Sequence, residues 1–222
     1  MNKTKGFTLA EVLITLGIVG VVAAMSAPSL VQNAAAAKTG PAMSRAISSL
    51  ANGMQAFLAA KDSTKLDTAG GAGTSTELFN ELDAKYVKMN VSSMAAKPIL
   101  DNDSDIGGTY QVYQFGDRSA VFVPNSEDCD PNTKVIDSTK TPNITGCVFY
   151  FAPIGWASKN SLILGDDVFE LAYDNEGDIL IYGLEYGEKW DEKCSDPANM
   201  ESGASKRSCG GRIAAHNYKK DY

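Results

Sequence analysis

From Val12 to Val31 the chain is an apolar run without a single charge, and after Glu11 the next charged residue is Lys38. About 20 apolar residues at helical rise match the hydrocarbon thickness of a bilayer. No other stretch of the sequence restricts the fold as strongly. Two short segments precede the run. Met1-Asn2-Lys3-Thr4-Lys5-Gly6 is basic and small, and Phe7-Thr8-Leu9-Ala10-Glu11 ends on a carboxylate. The lysines lie before the run, so the positive-inside rule puts the large downstream part outside the cytoplasm.

Glu11 needs a physical reason. An acid at the centre of a membrane helix costs about 2.5–3.5 kcal/mol on insertion scales, and less near an end. Acids in such segments face a partner. Cutting between Gly6 and Phe7 would create one by freeing an α-amine on Phe7. Amine and carboxylate on staggered copies of the helix could then pair between neighbours.

The order Lys5-Gly6-Phe7-Thr8-Leu9-Ala10-Glu11, followed by an apolar helix, resembles the class III leader and N-terminal helix of type IV pilins and type II secretion pseudopilins. The resemblance covers about the first 30 residues, and Pro28 sits where many members have a proline. It implies that a prepilin peptidase cuts after Gly6 and that Phe7 becomes N-methylated. It also implies that Glu11 takes part in subunit docking. The implied partners are copies of the chain, related pilin subunits and an inner-membrane assembly platform. An ordinary secretory signal cut near Ala24-Met25-Ser26 fits less well, because Glu11 would interrupt its apolar core. A plain single-span anchor explains the length of the run but not the Gly-Phe-Thr-Leu-x-Glu order.

The remainder bounds one globular unit. The chain has 222 residues and a formal charge of −7, and loss of Lys3 and Lys5 with a leader would take the side-chain count to −9. So acidic a domain is a poor partner for nucleic acid. The expected layout is a leader at 1–6, a transmembrane and polymerisation helix at 7–31, an amphipathic continuation at 32–61, and an extracytoplasmic domain at 62–222. Met43, Ile47, Leu50, Met54, Phe57 and Leu58 recur at spacings of three and four, the stripe of a helix lying on a core. Gly40-Pro41 is discordant and predicts a kink or break there. Thr74-Ser75-Thr76-Glu77 fits a capping box and predicts a short helix over about 75–88. Residues 90–108 read as mostly loop.

Strands follow. Thr109–Phe115 and Ala120–Val123 flank a turn at Gly116–Ser119, Val148–Phe151 stops at Pro153, and Asp167–Tyr173 pairs with Asp178–Tyr182. The class is therefore α+β: a long N-terminal helix, half membrane-spanning and half amphipathic, packed on a small antiparallel sheet. Pilin-like domains share this layout.

Cys129, Cys147, Cys194 and Cys209 all lie beyond the apolar run, which fits an oxidising compartment. Four cysteines allow three pairings. The sequential pairs, 129 with 147 and 194 with 209, would each close a polar loop and contribute about 3 kcal/mol in the chain-entropy model. No pair has the close spacing of zinc ligands. A C-terminal disulfide loop is also a common pilin feature, which makes the 194–209 loop the candidate contact surface.

An enzyme is not expected. The single histidine, His216, lies in a polar tail, and no nucleophile elbow, P-loop or zinc-protease pattern is present. No cofactor is expected either, with calcium the one ion left open. Asp101, Asp103 and Asp105 alternate like the first half of a calcium loop, but Ile106 stands where a glycine belongs and Val112 where a glutamate does. A solvated turn fits those residues better. Asp174, Glu176 and Asp178 form a weaker oxygen cluster. The sequence reads as a subunit that polymerises through its N-terminal helix, starting in the cytoplasmic (inner) membrane and moving into a pilus or pseudopilus. The alternative is an anchored extracytoplasmic binding module or hydrolase that never polymerises.

Overall fold

A computed structural model of the chain describes residues 8–66, 74–92, 94–101, 104–105, 108–125, 147–182 and 209–215. Helix α1 runs from Leu9 to Ala60, 52 residues, or about 78 Å at 1.5 Å per residue. Its C-terminus closes as a Schellman motif: the Ser63 N–H donates to the Leu58 carbonyl at 3.0 Å, the Asp62 N–H to Ala59 at 3.2 Å, and Asp62 takes the left-handed conformation at φ 52°. The helix is not broken at Gly40-Pro41. Proline forfeits one backbone donor there, but Thr39 and Gly40 before it and Ala42, Met43 and Ala46 after it are buried, and this packing keeps the chain helical. The Arg45 Nε donates to the Pro41 carbonyl at 3.1 Å and holds the same turn from outside.

From Thr39 onward α1 is amphipathic in fact. Met43, Leu50, Met54, Phe57 and Leu58 are buried and Ile47 is half-buried, as the stripe predicts. Helix α2, Ser75–Leu82, starts with the expected capping box: the Thr74 hydroxyl accepts from the Glu77 N–H, and the Glu77 carboxylate accepts from the Thr74 N–H. It passes into a π-helical turn at Asp83–Val87, which ends at Lys88 in the left-handed region.

Among the described residues nine strands form two sheets. They are β1 Asn90–Val91, β2 Ile99–Asp101, β3 Ser104–Asp105, β4 Tyr110–Gln114, β5 Ala120–Pro124, β6 Cys147–Ala152, β7 Leu162–Ile163, β8 Phe169–Tyr173 and β9 Ile179–Ile181. The main sheet is antiparallel with the order β1-β4-β5-β6-β8-β9. A small sheet of order β3-β2-β7 pairs β2 parallel to β7. The sequence reading missed β1, β2 and β3, which occupy part of the span it took as mostly loop, and it missed β7. It also missed a helix, α3, Cys209–Ala215.

The main sheet is covered on both sides. Tyr113, Val121, Phe149, Phe151, Leu171 and Tyr173 face the helices, and Val112, Phe122, Val148, Tyr150 and Ala172 face a second core with Ile99, Trp156 and Leu162. That is why β5, β6 and β8 are buried at every residue and not at alternate ones.

Polar bonds pin the helices to the sheet. The buried Tyr173 hydroxyl donates to the Leu50 carbonyl at 3.1 Å, and the Tyr113 hydroxyl donates to Asn80 Oδ1 at 2.8 Å. Asp83 is a weak point in this layer. Burial raises its pKa above the ordinary 3.8, against a lowering hydrogen bond from the Met89 N–H, and its Oδ1 is buried with no hydrogen-bond partner among the described residues. The folded state therefore holds this proton more tightly than the unfolded state does. The stability it adds is present at acid pH and is lost as pH rises above 3.8 through the raised value. Asp83→Asn is expected to raise the Tm at pH 7 and to match the parent near pH 4. An equal gap at both pH values would contradict this.

Candidate functional site

The distinctive surface is the free half of α1. Every described side chain from Thr8 to Ala24 is exposed, with large apolar residues ranging from Val12 at 44% to Leu9 at 81%. A helix that is apolar all round belongs in a membrane or among other helices, and this one far exceeds the apolar patches of ordinary monomers. Among the described residues no helix is long and apolar enough to cross a membrane. The stretch with described side chains ends at Ala24, and the backbone stays helical beyond it.

At the tip, Thr8 is the N-cap of α1 and Glu11 the third helical residue. The Thr8 N–H and hydroxyl donate to Glu11 Oε2 at 2.8 and 2.7 Å, and the Glu11 N–H donates to Thr8 Oγ1 at 3.3 Å. This is a complete capping box. Sequence reasoning missed it, although Thr-x-x-Glu before an apolar run is its signature. Glu11 thus has a task within its own chain, so the acid alone does not separate a polymerising helix from a plain anchor. Thr15 continues the polar line by donating to the Glu11 and Val12 carbonyls. Gly6 and Phe7 lie outside the described residues.

The other candidate residues are scattered. Cys147 starts β6 and Cys209 starts α3, and both are buried in the helix-side core. Cys129 and Cys194 lie outside the described residues. Asp101 and Asp105 sit on paired strands, Asp101 opposite Ser104 and Asp105 opposite Leu100, while Asp103 lies outside the described residues. Asp174 serves its own turn, its Oδ1 accepting from the Asp178 N–H at 2.8 Å. Among the described residues no group of three His, Cys, Asp or Glu side chains could hold a metal ion.

The chain has no match among curated proteins and none among solved structures. Residues 1–27 match the prokaryotic N-terminal methylation motif, which is the class III prepilin-type motif of type IV pilins and pseudopilins.

Proposed function

We propose that the chain is a structural subunit of a type IV pilus or type II secretion pseudopilus and assembles through its N-terminal helix. The observation that carries this reading is the exposed apolar helix from Leu9 to Ala24, placed directly behind the methylation motif. Such a surface needs lipid before assembly and neighbouring helices after it. Residues 1–6 are the leader, removed by a prepilin peptidase, and Phe7 becomes the N-methylated end. Residues 7–31 anchor the precursor in the cytoplasmic membrane, and the domain beyond 62 stays outside the cytoplasm. The partners are copies of the chain, related subunits and the assembly platform. Disulfides join Cys129 to Cys147 and Cys194 to Cys209.

The capping box favours one competing reading, an anchored extracytoplasmic module, because it gives Glu11 a use without any neighbour. Assembly decides between the two. Expressed with a prepilin peptidase and the assembly machinery, the parent should give polymers that pellet after shearing, whereas an anchored module stays with the membranes.

Processing is tested separately. Intact mass without reduction should show a chain that starts at methylated Phe7 and carries two disulfides. Gly6→Val should abolish cutting by crowding the scissile bond. An N-terminus near Pro28, or four alkylatable thiols, would contradict the proposal.

A further inference from the structure

Exposed groups of opposite charge stand beside the two flanks of α1, Lys88 on one side and the acids of the β8–β9 turn on the other. At 100° per residue, Gly53 and Phe57 share one flank and Gln55 and Leu58 the other. The first flank meets the π-helical turn. Phe57 stacks edge-on against Tyr86 at 6.2 Å, and a Cβ on Gly53 would lie 2.3 Å from Val87 Cγ2. The second flank meets the β8–β9 turn. A Cβ on Gly177 would lie 2.7 Å from Met54 Cγ and 2.9 Å from Leu58 Cδ1, and Gln55 Nε2 donates to the Glu176 carbonyl.

The second flank is acidic. Asp174, Glu176 and Asp178 crowd one turn, and none of them joins an ion pair among the described residues. Burial raises the Asp174 pKa, and the charges of Asp178 and Glu176 push it the same way. Beyond the first flank, β1 is the end strand of the main sheet among the described residues. Glu81 pairs with both Lys61 and Lys85, whereas the exposed Lys88 beside β1 has no ion pair among the described residues. Val91 at 52% and Met94 at 42% are the only large apolar residues described as exposed outside α1.

We infer that adjacent copies meet flank to flank, with Lys88 and Val91 at the β1 edge of one copy set against Glu176 and Asp178 of the next. This rests on the filament reading. The contact uses two different patches, so it is head-to-tail: it does not close as a two-fold dimer, and each copy keeps a free patch for the next subunit of a filament. The cation relieves the crowded acids, and the apolar edge gains cover.

Carbodiimide treatment of sheared polymers tests the contact with natural residues. The dimer band, and not the monomer band, should yield the Lys88 peptide joined by an amide to the 174–178 peptide. Lys88→Glu should lower polymer yield about threefold or more, an exposed ion pair being weak but repeated at every subunit. Adding Glu176→Lys should restore the yield. An unchanged Tm for Lys88→Glu separates these effects from folding. Parent polymers that lack this cross-link and tolerate Lys88→Glu would overturn the contact and leave the filament reading standing. A parent that forms no polymer would overturn both.

Discussion

Glu11→Gln should assemble as poorly as Glu11→Ala, although only the alanine variant loses the capping box. Glutamine keeps an acceptor for the Thr8 N–H and satisfies the box, but it carries no charge. If Glu11 pairs with the Phe7 amine of a neighbouring copy, either substitution leaves a buried amine unpaired at about 3–5 kcal/mol. That cost recurs at every subunit added, so filaments should be nearly absent. Membrane insertion and Gly6–Phe7 cutting should stay intact, and so should the domain Tm, because the packed part of α1 begins near Thr39. Thr8→Ala is the complementary variant: it keeps the charge, loses the cap at about 1 kcal/mol, and should assemble far better than either Glu11 variant. Filament yield by electron microscopy, with membrane fractionation, reads all four chains. Normal filaments from Glu11→Gln would show that the residue works as a cap and not as an ion-pair partner.

Gly177→Ala should be the most destabilising small substitution in the domain. Its φ is +79°, and a Cβ would come within 3 Å of both Met54 and Leu58. The left-handed backbone costs about 1–2 kcal/mol and overpacking about 1–3 kcal/mol, so the Tm should fall on the order of 5–15 °C. Gly155→Ala is the control. Its φ is +105°, but nothing lies within 4 Å of an added Cβ, so only backbone strain remains and the loss should be clearly smaller. Equal losses would mean that close approach to α1 adds nothing. The turn at Gly177 also holds Gln55 and, through the Asn175 carbonyl, the Leu66 N–H. A weakened turn therefore loosens the grip of the domain on the helix that carries it.

The parts of the fold legible in the sequence were those governed by local chemistry. β4, β5, β6, β8 and β9 are runs of β-branched and aromatic residues between turn residues, and α2 declares itself through Thr74 and Glu77. What escaped depends on distant contacts. β2 and β7 are two or three residues long and exist because Ile99 and Leu162 seal the second face of the main sheet. Helix α3 contains Gly210 and Gly211, poor helix formers. A Cβ on Gly210 would make only ordinary contacts, at 3.4–3.6 Å from Ile181, Phe169 and the Tyr182 carbonyl, so the helix forms there through packing and not through propensity. Pro41 misled for the same reason, since burial on both sides of it outweighs one missing hydrogen bond. At the tip the failure was different. The motif drew attention to the role proposed for Glu11 between chains and hid what it does for its own helix.

The claim that most needs testing is that this chain is built into a filament through the helix starting at Phe7. Sheared filaments from cells that make the parent chain should be purified, imaged, and analysed by intact mass. The account predicts filaments that contain this chain as a major or minor component, with every copy beginning at methylated Phe7. Filaments without the chain, while its processed form remains wholly in the membrane, would contradict the account and establish the anchored module in its place.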